Sequence, residues 1–254
     1  MSVAHDHLRA MKDPDASALG FIDRAPEPLR YDEQEPDPFE SAGMILDMIP
    51  PGSRVLDVGC GTGSISFLIR DIRRCIVVGV EPHAERARKA RSREIDVAAS
   101  ELNSNSAFTL GRFDVVLFAD VLEHMPDPLS TLRLSRDLLK ARGCLIASIP
   151  NVAHWTVRLN LLRGRFDYDV SGIMDATHLR WFTAKGVKQI FSRAGYDLVE
   201  LRAAAGVWMP EYHRRPWSLL SARLRNVVIR RATLYFPALF GCQYVVKAVS
   251  QPDR

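Results

Sequence analysis

The run Val55-Leu56-Asp57-Val58-Gly59-Cys60-Gly61-Thr62-Gly63 constrains this chain more than any other stretch, because a buried-strand pattern passes directly into a loop with glycine at every second position. Glycine tolerates positive φ and removes the side chain that would keep a ligand off the backbone. Strand, glycine turn and helix start in that order make a cradle for a nucleoside-bearing ligand. A dinucleotide fingerprint would place its third glycine at position 64, where this chain has Ser64, and Asp57 sits near the strand end instead. That pattern suits a cationic, amino-acid-bearing ligand better than a pyrophosphate.

The rest of the chain repeats the alternation of strand and helix. Strands are expected at 54–58, 75–80, 95–100, 113–119 and 143–149, and the continuous apolar run at 75–80 reads as buried on both faces, with Glu81 closing it. Helices are expected at 38–49, ahead of the Pro50-Pro51-Gly52 stop, and at 62–71, with Ile65, Leu68 and Ile69 inward. Further helices run from Pro82 to about 93, from the Asp127-Pro128 cap to about 142, and over 183–193 with Gly195 as the stop. Residues 101–106 read as a polar loop, and 196–201 with 242–249 as a closing antiparallel pair. The order implies an α/β fold with a doubly wound, mostly parallel sheet.

The glycine loop, Asp57 and Glu81 resemble the class I S-adenosylmethionine-dependent methyltransferases over residues 40–206. The resemblance implies a Rossmann-like sheet of seven strands with an antiparallel C-terminal strand, and S-adenosyl-L-methionine as cofactor. It implies that Asp57, Gly59, Cys60, Gly61 and Gly63 hold the methionine end and Glu81 the ribose, with Asp120 beside the cofactor. Ser100-Glu101 stands where the family usually has Gly-Asp and is assigned to the adenine. Residues 1–37, with Tyr31, are expected as a lid or flexible segment ahead of a methyltransferase domain at 38–254.

Ligands of open parallel sheets sit beyond the carboxyl ends of the strands, where Asp120-Val121-Leu122-Glu123-His124 follows strand four. This segment is similar to the metal-binding E-x-x-E-H of small-RNA 2′-O-methyltransferases and to the L-E-H of ubiquinone-pathway O-methyltransferases. His178-Leu179-Arg180-Trp181-Phe182-Thr183 has the form of the later histidine segment of the RNA enzymes. Asp120, Glu123, His124 and His178 are therefore candidate ligands for Mg2+ or Mn2+. In the metal-free alternative Glu123, His124 and His178 are catalytic as hydrogen-bonding or general-base groups, and in a third they are structural or orient the substrate. A hydroxyl acceptor, with its high pKa, gains from a base or a metal, whereas an amine needs little beyond positioning.

The stretch 150–182 reads as an acceptor insertion. Asn151, His154, Trp155, Arg158, Tyr168, Arg180 and Trp181 are the candidate substrate residues, combining aromatic faces for sugar or base rings with guanidinium forks for phosphate or carboxylate. Leu159, Leu161 and Leu162 are expected to pack on the core. From Arg202 onward nine Lys or Arg stand against Glu211 and Asp253, and the insertion 207–240 interleaves Arg with large apolar groups. Its part 217–240 reads either as a peripheral membrane contact or as a core-packed helix with arginines in solvent. Asn151-x-x-His154-Trp155 and the later motifs also resemble bacterial methyltransferases of surface-polysaccharide and lipopolysaccharide pathways, which implies O-methylation of a sugar hydroxyl on a nucleotide- or lipid-linked precursor.

Three other readings stand beside it: methylation of a quinone precursor or amine, RNA 2′-O-methylation, and a non-catalytic methyltransferase-fold partner of methionine biosynthesis. A net charge of +4 is modest for a nucleic-acid partner. The four cysteines lack C-x-x-C spacing and read as free thiols. With no secretory apolar core in the first 40 residues and no apolar run of about 18, the expectation is a cytoplasmic protein, with or without contact at the inner membrane face.

Overall fold

The computed structural model describes Leu29, Asp32 and residues 34–252, with backbone alone at Ser106 and Phe108. Tyr31 and most of the 1–37 segment lie outside the described residues. The strands are β1 (Arg54–Val58), β2 (Ile76–Val80), β3 (Asp96–Ala98), β4 (Phe113–Ala119), β5 (Leu139–Pro150), β6 (Tyr196–Ala204) and β7 (Gln243–Ser250). They form one sheet in the order β3-β2-β1-β4-β5-β7-β6, parallel except that β7 runs antiparallel to both β5 and β6. The reversal of strand order between β1 and β4 opens the crevice in which such sheets hold ligands.

Helices α1 (Ser41–Met48), α2 (Ser64–Arg73), α3 (Ala84–Ser92), α4 (Ser104–Leu110) and α5 (Pro128–Asp137) precede β5, and α6 (Trp155–Leu162), α7 (Ala184–Arg193), α8 (Ala222–Tyr235) and the short α9 (Pro237–Phe240) follow it. Side chains alternate across each strand. Val115 and Leu117 of β4 therefore join the core layer containing α1 and α2, while Val116 and Phe118 join the one containing α5 and α7.

Several expected boundaries move, each for a local reason. Residues 101–106 are not all loop, because α4 begins at Ser104. Pro82 stays outside α3, where Glu81 Oε1 accepts the His83 N–H at 2.8 Å and His83 takes the N-cap position. Helix α5 stops at Asp137, short of 142, because Leu139 already pairs with Phe113 and a register shift follows in β4 and β5. Leu161 and Leu162 do not pack on the core; they are 51% and 85% exposed, and Thr156 and Val157 are the buried residues of α6.

Candidate active site

The three loop glycines have φ of 68°, 57° and 77°, and each is required for a different reason. A Cβ on Gly63 would meet Ala90 Cβ at 2.9 Å, so this glycine lets the start of α2 pack against α3. A Cβ on Gly59 would press on Val121 at 2.8 Å, whereas one on Gly61 would point into open space. Gly79 in β2 makes room for the Cys60 thiol, which burial pushes to a higher pKa.

Asp57 is wholly buried; its Oδ2 accepts the Ser66 hydroxyl at 2.5 Å, and its Oδ1 has no hydrogen-bond partner. Burial, reinforced by the charge of Glu81 and opposed by Ser66, raises its pKa to about 7. Glu81 Oε2 accepts the Gly61 N–H at 2.9 Å, fastening the acid at the end of β2 to the glycine loop. Ser100 is half-buried and Glu101 exposed, just ahead of α4. An unsatisfied buried carboxylate oxygen, an open place over Gly61 and an acid at the end of β2 fit the ammonium and ribose of S-adenosylmethionine.

Across the crevice, Asp120 takes a positive φ of 55° at the end of β4. Its Oδ1 accepts the Ser148 hydroxyl at 3.0 Å and the Gln243 amide at 2.8 Å, which anchors the turn to β5 and β7. The next residues, Leu122–His124, form one 3-10 turn. The backbone N–H groups of Leu179 and Arg180 donate to the Glu123 carbonyl at 2.8 and 3.0 Å, docking the second histidine segment on this turn. As a result His178 Nε2 lies 4.0 Å from Glu123 Oε1, and the His124 and His178 rings stand 4.8 Å apart, edge to face.

Both histidines are held through Nδ1. His178 Nδ1 donates to the Ile173 carbonyl at 3.1 Å, and His124 Nδ1 lies 3.1 Å from both the carbonyl and the hydroxyl of Thr177. Thr177 Oγ1 in turn donates to Asp175 Oδ1 at 2.6 Å. A neutral imidazole protonated at Nδ1 carries its lone pair on Nε2. Glu123 is 1% exposed and neither carboxylate oxygen has a partner, so burial, with the charges of Asp120 and Asp175 adding, raises its pKa well above the ordinary range.

The ligand atoms of Glu123, His124 and His178 lie within 4.8 Å of one another. Orphaned carboxylate oxygens and histidines tethered by backbone carbonyls fit a divalent ion, which would lower the pKa of a bound hydroxyl. Asp120 does not join this group, since its Oδ1 is committed to Ser148 and Gln243.

The candidate substrate residues divide into two sets. Asn151 and His154 are buried within the scaffold: Asn151 Nδ2 donates to the carbonyls of Gly241 at 2.8 Å and Ala238 at 3.2 Å. His154 Nε2 lies 3.2 Å from the Tyr212 hydroxyl, and Trp155 Nε1 donates to that hydroxyl at 3.0 Å. Burial lowers the His154 pKa to about 4, which keeps the ring neutral. These three residues tie one insertion to the other. Arg158 and Arg180 are exposed, each bonded to a nearby backbone carbonyl.

Tyr168 and Trp181 form a three-ring cluster with Phe166, with centroids 5.8 to 6.1 Å apart, and the buried Trp181 Nε1 has no acceptor. Sequence reasoning missed Asp175, Thr177, Tyr212 and Gln243. Asp175-Ala176-Thr177 did carry an Asx-turn signal, now seen as the Thr177 N–H donating to Asp175 Oδ1 at 2.9 Å. Tyr212 and Gln243 meet their partners only through tertiary contact.

The sheet order, the glycine loop and the acid closing β2 together define a methyltransferase of the Rossmann-like class. A family model described as a methyltransferase domain matches residues 31–201, and the chain belongs to the class I S-adenosylmethionine-dependent methyltransferase family. It is 34% identical over 106 residues to a ubiquinone biosynthesis O-methyltransferase of Xanthomonas campestris pv. campestris, covering 40% of this chain and 44% of that protein. The chain thus spans less than half the length of that relative. It is 32% identical over 142 residues to the bifunctional methionine biosynthesis protein MetXA/MetW of Rhodopirellula baltica, covering 49% of this chain and 22% of that one. The crystal structure of a SAM-dependent methyltransferase from Thermotoga maritima shares the fold, with a TM-score of 0.54 at 18% identity over 82% of this chain and 87% of that one.

Proposed function

We propose that this protein is an S-adenosylmethionine-dependent O-methyltransferase whose acceptor is a sugar hydroxyl on a nucleotide- or lipid-linked glycan precursor. The observation that carries the reading is the buried, unpartnered Glu123 carboxylate facing His178 Nε2 at 4.0 Å. Amine methylation needs no such pair.

S-adenosylmethionine, when bound, supplies an electrophilic methyl group on a sulfonium sulfur. Asp57, the Gly59–Gly63 loop and Glu81 would hold it. His178 Nε2 would take the acceptor's hydroxyl proton. The Ile173 carbonyl fixes the ring through Nδ1–H, and Glu123 Oε1, 4.0 Å from Nε2, orients the acceptor hydroxyl beside it. Much of the remaining rate enhancement comes from alignment of the acceptor. The ring faces of Phe166, Tyr168 and Trp181, with the unsatisfied indole N–H, suit the apolar face and a hydroxyl of a sugar.

The test is transfer of tritiated methyl from S-adenosylmethionine to panels of nucleotide sugars, polyprenyl-linked sugars and catechols, alongside calorimetric titration with S-adenosylhomocysteine. Methyl ether on a sugar supports the reading. Methylation of catechols alone moves the acceptor to the ubiquinone-like class, to which the Xanthomonas relative's name points. Binding of S-adenosylhomocysteine with no transfer to any panel would favour a non-catalytic partner role.

A further inference from the structure

Helix α8 is packed the wrong way round for a helix whose outer side meets water. Its inward positions include Arg225, Asn226, Arg230 and Thr233, with Ile229 the one large apolar side chain fully buried. Its outward stripe is Leu224, Val227, Val228, Leu234 and Tyr235, between 38% and 72% exposed, bracketed by the exposed Arg223 and Arg231. Arg230 on the inward side pairs with Asp37 and lies over the Phe39 ring at 4.6 Å. An outward apolar stripe at i, i+3, i+4 spacing is what a helix presents to a partner phase.

We infer that α8 docks this protein on an anionic phospholipid surface. The charge pattern selects that occupant. No Asp or Glu occurs from 212 to 252, while Arg214, Arg215, Arg223 and Arg231 are exposed, and none of the ion pairs among the described residues involves them. A second copy fits poorly, because antiparallel pairing about Val227 would set Arg223 of one copy against Arg231 of the other. A lipid interface accepts the apolar stripe into the acyl boundary and the arginines among the phosphates, with Tyr235 at headgroup depth. Asn151, which follows β5, donates to the carbonyls of Ala238 and Gly241, so the segment after α8 is fastened at the carboxyl end of β5. The inference is independent of which acceptor the enzyme takes.

The experiment is cosedimentation of the full chain with vesicles of phosphatidylcholine alone and of equimolar phosphatidylcholine and phosphatidylglycerol, with analytical ultracentrifugation in the absence of lipid. Binding to the anionic vesicles that weakens with salt is expected. Arg223→Gln/Arg231→Gln should lower the partition coefficient roughly thirtyfold. Val227→Ser/Val228→Ser should lower it roughly tenfold or more. All four positions are on the outer face, so melting temperature and S-adenosylhomocysteine affinity should hold, and a variant that fails either control is replaced by Leu234→Ser. No binding to anionic vesicles, or binding unaffected by both double variants, overturns the inference, as does a dimer abolished by Val227→Ser/Val228→Ser.

Discussion

Glu123 Oε1 and His178 Nε2 face each other across 4.0 Å in a pocket where neither side chain exceeds 4% exposure. The pair is assembled by backbone: the Glu123 carbonyl receives two N–H groups from 179 and 180, so the carboxylate and the imidazole cannot separate unless the insertion lifts off the turn.

His178→Ala and Glu123→Gln should each lower kcat by about two to four orders of magnitude, the usual worth of a general base. S-adenosylhomocysteine affinity should stay within about threefold, because neither residue belongs to the glycine-loop side of the crevice. Turnover of chelator-treated protein should persist without added Mn2+. A strict Mn2+ requirement, lost with Mn2+ binding in Glu123→Ala, would transfer the role of the cluster to the ion.

Asp57 gives a pH signature. Its pKa is raised by burial from 3.8 to about 7, so the folded protein holds this proton more tightly than the unfolded chain. Stability therefore falls as pH rises between about 4 and 7, by about 4 kcal/mol from this group when the titration is complete. Asp57→Asn should remove that share of the slope in urea unfolding measured across this range. An ammonium beside the carboxylate favours its ionised form, so S-adenosylhomocysteine affinity should rise with pH towards 7 in the native protein and lose that dependence in Asp57→Asn.

Two glycines of the loop should separate binding from stability. Gly61→Ala points its methyl into open space, so its chief cost should be weaker S-adenosylhomocysteine binding, with a stability loss of about 1 kcal/mol for the positive φ. Gly63→Ala drives a methyl into Ala90 at 2.9 Å and should destabilise by about 2–4 kcal/mol, read as a lowered melting temperature. Equal effects in the two variants would contradict the division of roles.

Tyr212→Phe strips the partner from Trp155 Nε1 and His154 Nε2 at once. A loss of about 1–3 kcal/mol in denaturant unfolding is expected, while the ring at 212 keeps its packing 5.3 Å from Trp217.

Much of this protein was legible along the chain. Strand β1 over 54–58, strand β4 over 113–119 and the antiparallel pairing of the last two strands follow from apolar runs and glycine punctuation, which are local signals. The acid after β2 and the glycine loop were legible for the same reason, since each directly follows the end of its own strand, Val80 for Glu81 and Val58 for the loop.

The tertiary structure decided what local pattern could not reach. The leucines of α6 obeyed helical spacing, yet Leu161 and Leu162 face outward, because spacing fixes a shared face and not what that face meets. Asn151 and His154 resembled substrate residues as polar groups in an insertion, and they proved to be buried fasteners, since their partners Gly241 and Tyr212 lie 90 and 58 residues away. Asp120 had the right spacing for a fourth ligand but turns to Ser148 and Gln243, the latter 123 residues distant. Residue type and spacing determined the sheet, the cofactor loop and the pool of acids and histidines. Which of those groups meet, and which are left buried without a partner, was decided by long-range hydrogen bonds that exist only once the chain has closed on itself.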